Sequence, residues 1–177
     1  MWAKVESNSI TRFYTRPTAI TVGDVNYPAN IMSMWTASEL EAIGIYEVVE
    51  DNTNLKDTEY YTNGAESIVF ASGVVTKSYG TATARNLADL KTQKKAAVNN
   101  SAGDRLFAYD WYVLRATEGG TAVPSAITTY RAAVRTKSND MCTLIDNAAN
   151  VDALAALYVF NDDDPPVQPI GVWPVLS

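Results

Sequence analysis

The spacing of apolar residues changes character once along this chain, near Thr83, and that change limits the folds open to it. Before it, apolar and polar residues alternate over short runs, the pattern of half-buried strands. After it, apolar residues recur at three- and four-residue steps, which places them on one side of a helix. Strands and helices therefore segregate along the sequence. The expected class is α+β, with three parts. A small antiparallel β-rich module with one short helix occupies residues 1–82, a helical module residues 83–160, and an extended, acidic and Pro-rich tail residues 161–177. A chain of 177 residues is long enough for one ordinary domain, or for two small ones sharing a core.

Residues 2–34 read as strands and turns. Trp2, Lys4 and Glu6 alternate with Ala3 and Val5, a turn follows at Ser7-Asn8-Ser9, and Ile10–Tyr14 resumes the strand pattern. Ala19–Val22 and Val25–Tyr27 flank Gly23-Asp24, a compact hairpin signal. Thr36 and Glu39 then have capping-box spacing, with Leu40 and Ile43 as a short apolar edge and Gly44 as the stop. Ile45–Val49, Glu59–Thr62, Ser67–Phe70 and Val74–Tyr79 are further strand candidates, with turns at Asn63-Gly64 and Ser72-Gly73.

In the helical module, Leu87, Leu90, Lys94, Ala97 and Val98 share a face, and the poor helix formers Asn99–Gly103 predict a break or bend after it. Asp110 is placed to cap a helix from Trp111 to Thr117, closed by Gly119-Gly120, with the Trp111 ring buried beneath the helical layer. Pro124-Ser125 opens the clearest helix. Its apolar face is Ile127, Tyr130, Val134, Met141, Ile145 and Ala148, and Arg131, Arg135 and Lys137 lie to the side. Asn150 caps a last short helix over 152–158. Beyond it, Asp162-Asp163-Asp164 precede Pro165, Pro166, Pro169 and Pro174, a proline density that favours an extended path. The three consecutive acids lack the alternate spacing of a calcium loop and read as a solvated linker.

Composition narrows the chemistry. The chain has no histidine and a single cysteine, Cys142, which falls within a helical pattern and reads as a small buried side chain. Histidine-based triads, Cys-based zinc sites and an internal disulfide are thereby excluded, and no two acids are convincingly paired for glycosidase-type work. The expectation is a protein that is not an enzyme, with no cofactor and no metal. Residues 1–84 carry five Lys/Arg against ten Asp/Glu, residues 85–137 nine against four, and residues 138–177 none against six. The local basic excess is modest and spread along helices, so a solvated face or an acidic protein partner is expected ahead of nucleic acid. No apolar run is long enough to span a bilayer and no secretory signal opens the chain, which predicts synthesis in a cytoplasm and no membrane association.

Two stretches resemble proteins of tailed bacteriophages. Arg105–Arg115 is similar to the "L-x-x-(T)-D-W" element of phage tail assembly chaperone-like domains, with Asp110 and Trp111 as its Asp-Trp pair and Tyr109 where the family has Thr. The Pro-containing linker and "Y-R-x-x-L/V-R" helix that follow there are matched by Pro124 and by Tyr130, Arg131, Val134 and Arg135. In the front module, Trp35–Val48 resembles the "W-(T/S)-x-x-E-L-x-x-(I/L)-G-(I/L)-x-x-V" helix-turn of such proteins through Trp35, Glu39 and Gly44. The resemblance covers about three quarters of the chain. It implies a virion structural protein (a tail-fibre, adaptor or capsid-attached part), made in the bacterial cytoplasm and packed against copies of itself and other virion proteins. Two alternatives stay open: a tail assembly chaperone absent from the finished particle, and a receptor- or glycan-binding module using Trp35, Tyr60 and Tyr61. Arg115, Arg131 and Arg135 read either as ordinary surface arginines or as an interface patch. Pro165, Pro166, Pro169 and Trp173 form a candidate protein interface, whether the tail docks on its own chain or on a neighbour.

Overall fold

The computed structural model describes residues 1–176 as a mixed α+β protein of two compact units, Met1–Thr83 and Ala84–Ser177. In the first unit, β1 (Trp2–Glu6) and β2 (Ser9–Tyr14) form a hairpin whose turn residues Ser7 and Asn8 both take positive φ, as a tight right-twisted hairpin requires. A second hairpin, β3 (Ile20–Val22) with β4 (Val25–Tyr27), turns at Gly23. Two short helices follow, α1 (Ile31–Met34) and α2 (Ala37–Glu41), and then β5 (Ile45–Asp51), β6 (Tyr61–Thr62), β7 (Glu66–Ala71) and β8 (Val74–Tyr79). The main sheet has the order β2-β1-β5-β8-β7 and curls until its edge strands β2 and β7 approach each other.

This sheet corrects the expected all-antiparallel arrangement, because β5 and β8 run parallel. The chain leaves β5, passes beyond the position β8 will take, and returns as β7; the β7–β8 hairpin then lays β8 between β7 and β5. Alternation reports which side chains share a face and is blind to strand direction. The unit also has two short helices where one was expected. α1 is a single turn of Ile-Met-Ser-Met, too short to display a helical period.

Each face of the sheet carries its own core. Ala3, Val48 and Val75 are buried on the inside of the curl, with Val5, Ile10, Tyr46, Ile68 and Phe70 around them. Tyr14 and Ile45 lie on the other face, where Ile20 from the second hairpin, Ile31 and Met32 from α1, and Leu40 from α2 cover them. Gly44 joins α2 to β5 at φ +77°, and a Cβ there would lie 2.8 Å from the Val5 carbonyl oxygen, so the α2–β5 turn can sit on β1 only with glycine.

In the second unit, α3 (Leu87–Phe107) and α5 (Ser125–Asn147) form an antiparallel pair. Lys95 meets Asp146 at 2.7 Å toward one end, Ser138 donates to the Asn99 amide oxygen at 3.3 Å midway, and Arg131 reaches the Leu106 carbonyl at the other. α3 is continuous, so the expected break at 99–103 does not occur. Val98 and Ala102 are buried on that stretch and Asn99 is engaged from α5, and this tertiary packing overrides weak local propensity. Asn86 caps α3 by accepting from the amides of Ala88 and Asp89, and Asn150 caps α6 (Val151–Ala156) by accepting from that of Ala153. Between the long helices lies α4 (Asp110–Thr117).

Ile45 is fully buried between the sheet and its covering hairpin and helices. Ile45→Ala is expected to destabilise the protein by about 2–5 kcal/mol, read as a lower urea midpoint with an unchanged slope.

Candidate functional site

The residues singled out by the phage resemblance fall into two groups, and the structure treats them differently. In the first unit they build a local joint. Thr36 accepts from the Glu39 amide at 3.4 Å, and the Glu39 carboxylate accepts from the Thr36 amide at 2.8 Å, a complete capping box at the start of α2. Accepting the backbone and hydroxyl hydrogens of Thr36 holds the Glu39 carboxyl below its usual pKa. Trp35 is half-buried, edge-on to Tyr27 with ring centroids 5.5 Å apart. These contacts fix α2 and its turn onto the sheet and offer no reactive group. As a carbohydrate platform the set is poor, since Tyr60 is buried and Tyr61 lies beside Lys56.

A carboxylate whose folded pKa is lowered adds stability above its unfolded pKa and loses it as the pH falls through the folded value. Glu39→Gln is therefore expected to lower the melting temperature near neutral pH. The gap to the parent protein should close on acidification through and below the carboxylate range, as followed by circular dichroism.

In the second unit the residues converge on one side chain. Arg131 is only 8% exposed, and its guanidinium donates to the Asp110 carboxylate at 2.7 Å and to the Leu106 carbonyl at 2.7 Å. It thus joins the last turn of α3, the first turn of α4 and the first half of α5. Two expectations need correcting here. Asp110 does not cap α4: Tyr109 holds the N-cap position with no side-chain bond, and the Asp110 carboxylate turns to Arg131 instead. Arg131 does not lie to the side of α5 but on its buried face. That face runs Ile127, Arg131, Val134, Ser138, Met141 and Ile145, a regular alternation of four- and three-residue steps that a polar residue at 131 and another at 138 conceal from a hydrophobicity reading. Tyr130 packs edge-on to Tyr109 at 5.3 Å, and Arg135 is exposed.

Trp111 is the third correction. Its ring is not buried under the helices; it is 50% exposed, against Tyr112 and beneath the Arg115 guanidinium 4.8 Å away. With Asp110 held inward by Arg131, α4 buries none of its residues. Phe107 (79% exposed) ends α3, and Trp111 and Leu114 (61%) sit three positions apart on α4 with the Arg115 guanidinium over the Trp111 ring, so the end of α3 and α4 expose apolar side chains beside Arg115. This surface is the candidate functional site.

Pro165, Pro166 and Pro169 are exposed, while Trp173 is half-buried with the Arg105 guanidinium 4.6 Å above its ring. The segment is tied to its own chain where the Ile170 amide donates to the Leu157 carbonyl and the Gln168 side chain to that of Tyr158. Burial raises the Cys142 thiol pKa, with Lys95 opposing and Asp146 adding to the rise, which leaves it a poor nucleophile. Among the described residues no cluster of acids and cysteine is arranged to hold a metal ion, and no helix is long and apolar enough to cross a membrane. No known protein family, curated protein or solved structure matches the chain.

Asp110 is half-exposed and Arg131 is not, so losing the carboxylate leaves the more costly orphan. Asp110→Asn is expected to destabilise the protein by about 1–2 kcal/mol, the exposed partner discounting the interaction. Adding Arg131→Met should recover much of that loss in a double-mutant cycle, because the buried charge is then gone.

Proposed function

We propose that this chain is a structural component of a tailed-bacteriophage virion, a tail-fibre, adaptor or capsid-attached part, and not an enzyme. It works through contacts with other virion proteins and with copies of itself, and needs no cofactor, metal, membrane or nucleic acid. The observation that carries the reading is the exposed Phe107–Trp111–Leu114 surface, which lies on the same segment whose sequence resembles the phage element. A helix end that leaves a phenylalanine exposed beside a helix that turns a tryptophan and a leucine outward is suited to being covered by another protein surface. The lack of histidine and the raised pKa of the half-buried Cys142 thiol support a role without covalent or acid–base chemistry.

A tail assembly chaperone would use such a surface as well, holding a client until assembly and then leaving. Mass spectrometry of particles purified from the phage that encodes the chain separates the two. The expected result is its peptides at a fixed ratio to a known virion protein through successive density gradients. Loss of the peptides on purification would assign it to assembly instead.

A further inference from the structure

The second unit presents two apolar groups, each next to charges that form no ion pair among the described residues. At the α4 end are Phe107, Trp111 and Leu114, with Arg115 over the Trp111 ring. Arg105 bonds to Ser101 and lies over Trp173, Arg115 lies over Trp111 and Tyr112, and among the described residues neither meets a carboxylate. Toward the opposite end, where Lys94 sits over the Tyr158 ring at 4.2 Å, the chain leaves α6 and exposes Val159 and Phe160, each 62% accessible, directly before Asp162–Asp164. Asp162 and Asp164 form no ion pair among the described residues.

We propose that the second unit associates head to tail with a second copy of itself, the α4 surface of one chain receiving the Val159–Asp164 loop of the next. The chemistry of the two ends is complementary: aromatic and aliphatic side chains meet on both sides, and the Arg115 guanidinium, which meets no carboxylate among the described residues, faces carboxylates without basic partners. The loop is also shaped before it binds. The Asn161 amide donates to the Val167 carbonyl at 2.9 Å, the Val167 amide to the Asn161 side chain at 2.8 Å, and the Asn161 side-chain amide to Asp163 at 2.6 Å, which reduces the ordering entropy lost on docking. Tyr158, from which the loop leaves, is held at Lys94, roughly 20 Å along α3 from Phe107, so a copy cannot satisfy its own surface and the contact is heterologous. It propagates from copy to copy, closing into a ring or continuing as a filament. This proposal rests on the structural reading above for its biological setting and supplies that reading with its contact.

The test is sedimentation velocity of the full chain over a concentration series. The wild-type protein is expected to form concentration-dependent dimers and larger species, weakened by raising ionic strength from about 0.05 to about 0.5 M. Leu114→Gln with Phe107→Gln should weaken association by about tenfold or more, and so should Phe160→Ser with Asp162→Asn and Asp164→Asn. All five side chains are exposed, and circular dichroism confirms that each variant retains its helices. Mixing the two variants should restore a dimer that does not grow, since one intact end remains on each. A wild-type protein that stays monomeric overturns the proposal, as does association that the variants leave untouched. A mixture that stays monomeric also overturns it, because a head-to-tail contact leaves one intact pair of surfaces between the two variants. Particle mass spectrometry is independent of all of these. A chain that associates head to tail yet is absent from particles sinks the virion reading alone, and a virion protein that is monomeric in solution sinks this one alone.

Discussion

The second unit depends on a buried guanidinium. Arg131 lies on the inward face of α5 at a position where a coiled-coil-like pattern calls for an apolar residue, and it meets the Leu106 carbonyl and the Asp110 carboxylate. Burying a charge is unfavourable unless it is paired and hydrogen-bonded, so the chain around Arg131 has little freedom to rearrange. α3 must end where a carbonyl is free to accept, and α4 must begin with its carboxylate turned inward. Once Asp110 points in, Trp111 and Leu114 project outward. An ion pair that adds little net stability thereby dictates which face of α4 the molecule shows.

No comparable charge organises the first unit, which is held by apolar packing on both faces of a curled sheet. Ala3 is fully buried at the centre of the inner core, a small residue admitting the close approach that curling demands, while Val48 and Val75 sit on adjacent parallel strands beside it. The outer face is covered only in part. Ile45 and Tyr14 lie under the second hairpin and the short helices, but Val49 and Val69, which flank Thr76 in one cross-strand row, remain exposed. The capping box at Thr36 and the glycine at 44 matter because α2 is only five residues long and cannot hold itself together by helical cooperativity.

What the sequence made legible was local chemistry. The Ser7-Asn8, Gly23-Asp24 and Ser72-Gly73 turns, the Thr36–Glu39 box and the Asn150 cap each depend on residues within a few positions of one another, and each is present. What stayed hidden depended on distant partners. The parallel β5–β8 pairing joins strands more than twenty residues apart, and no residue type marks it. The continuity of α3 through Asn99–Gly103 is decided by α5. Hydrophobicity classes the Arg131 guanidinium as solvated, and only its neighbours reveal that it is satisfied inside. Of the candidate site, the segment was legible and the direction it faces was not. The α4 surface exists because Asp110 gave up the capping role its position offered in favour of a partner twenty-one residues along the chain.

That exchange has an energetic consequence. An eight-residue helix without a buried residue or a side-chain cap has little intrinsic stability, since nucleation is unfavourable and few turns follow to offset it. What keeps α4 in place is one half-exposed ion pair and the edge-on packing of Tyr109 on Tyr130. Both contacts lie at its first turn, while Leu114 and Thr117 in its second turn remain exposed. Leaving Phe107, Trp111 and Leu114 in water forgoes the burial that stabilises every other helix of the unit. Covering that surface would return the missing apolar contact. The arrangement is weak as a piece of core and well suited to a joint between subunits, where the stability a helix lacks alone is completed by the molecule that docks on it.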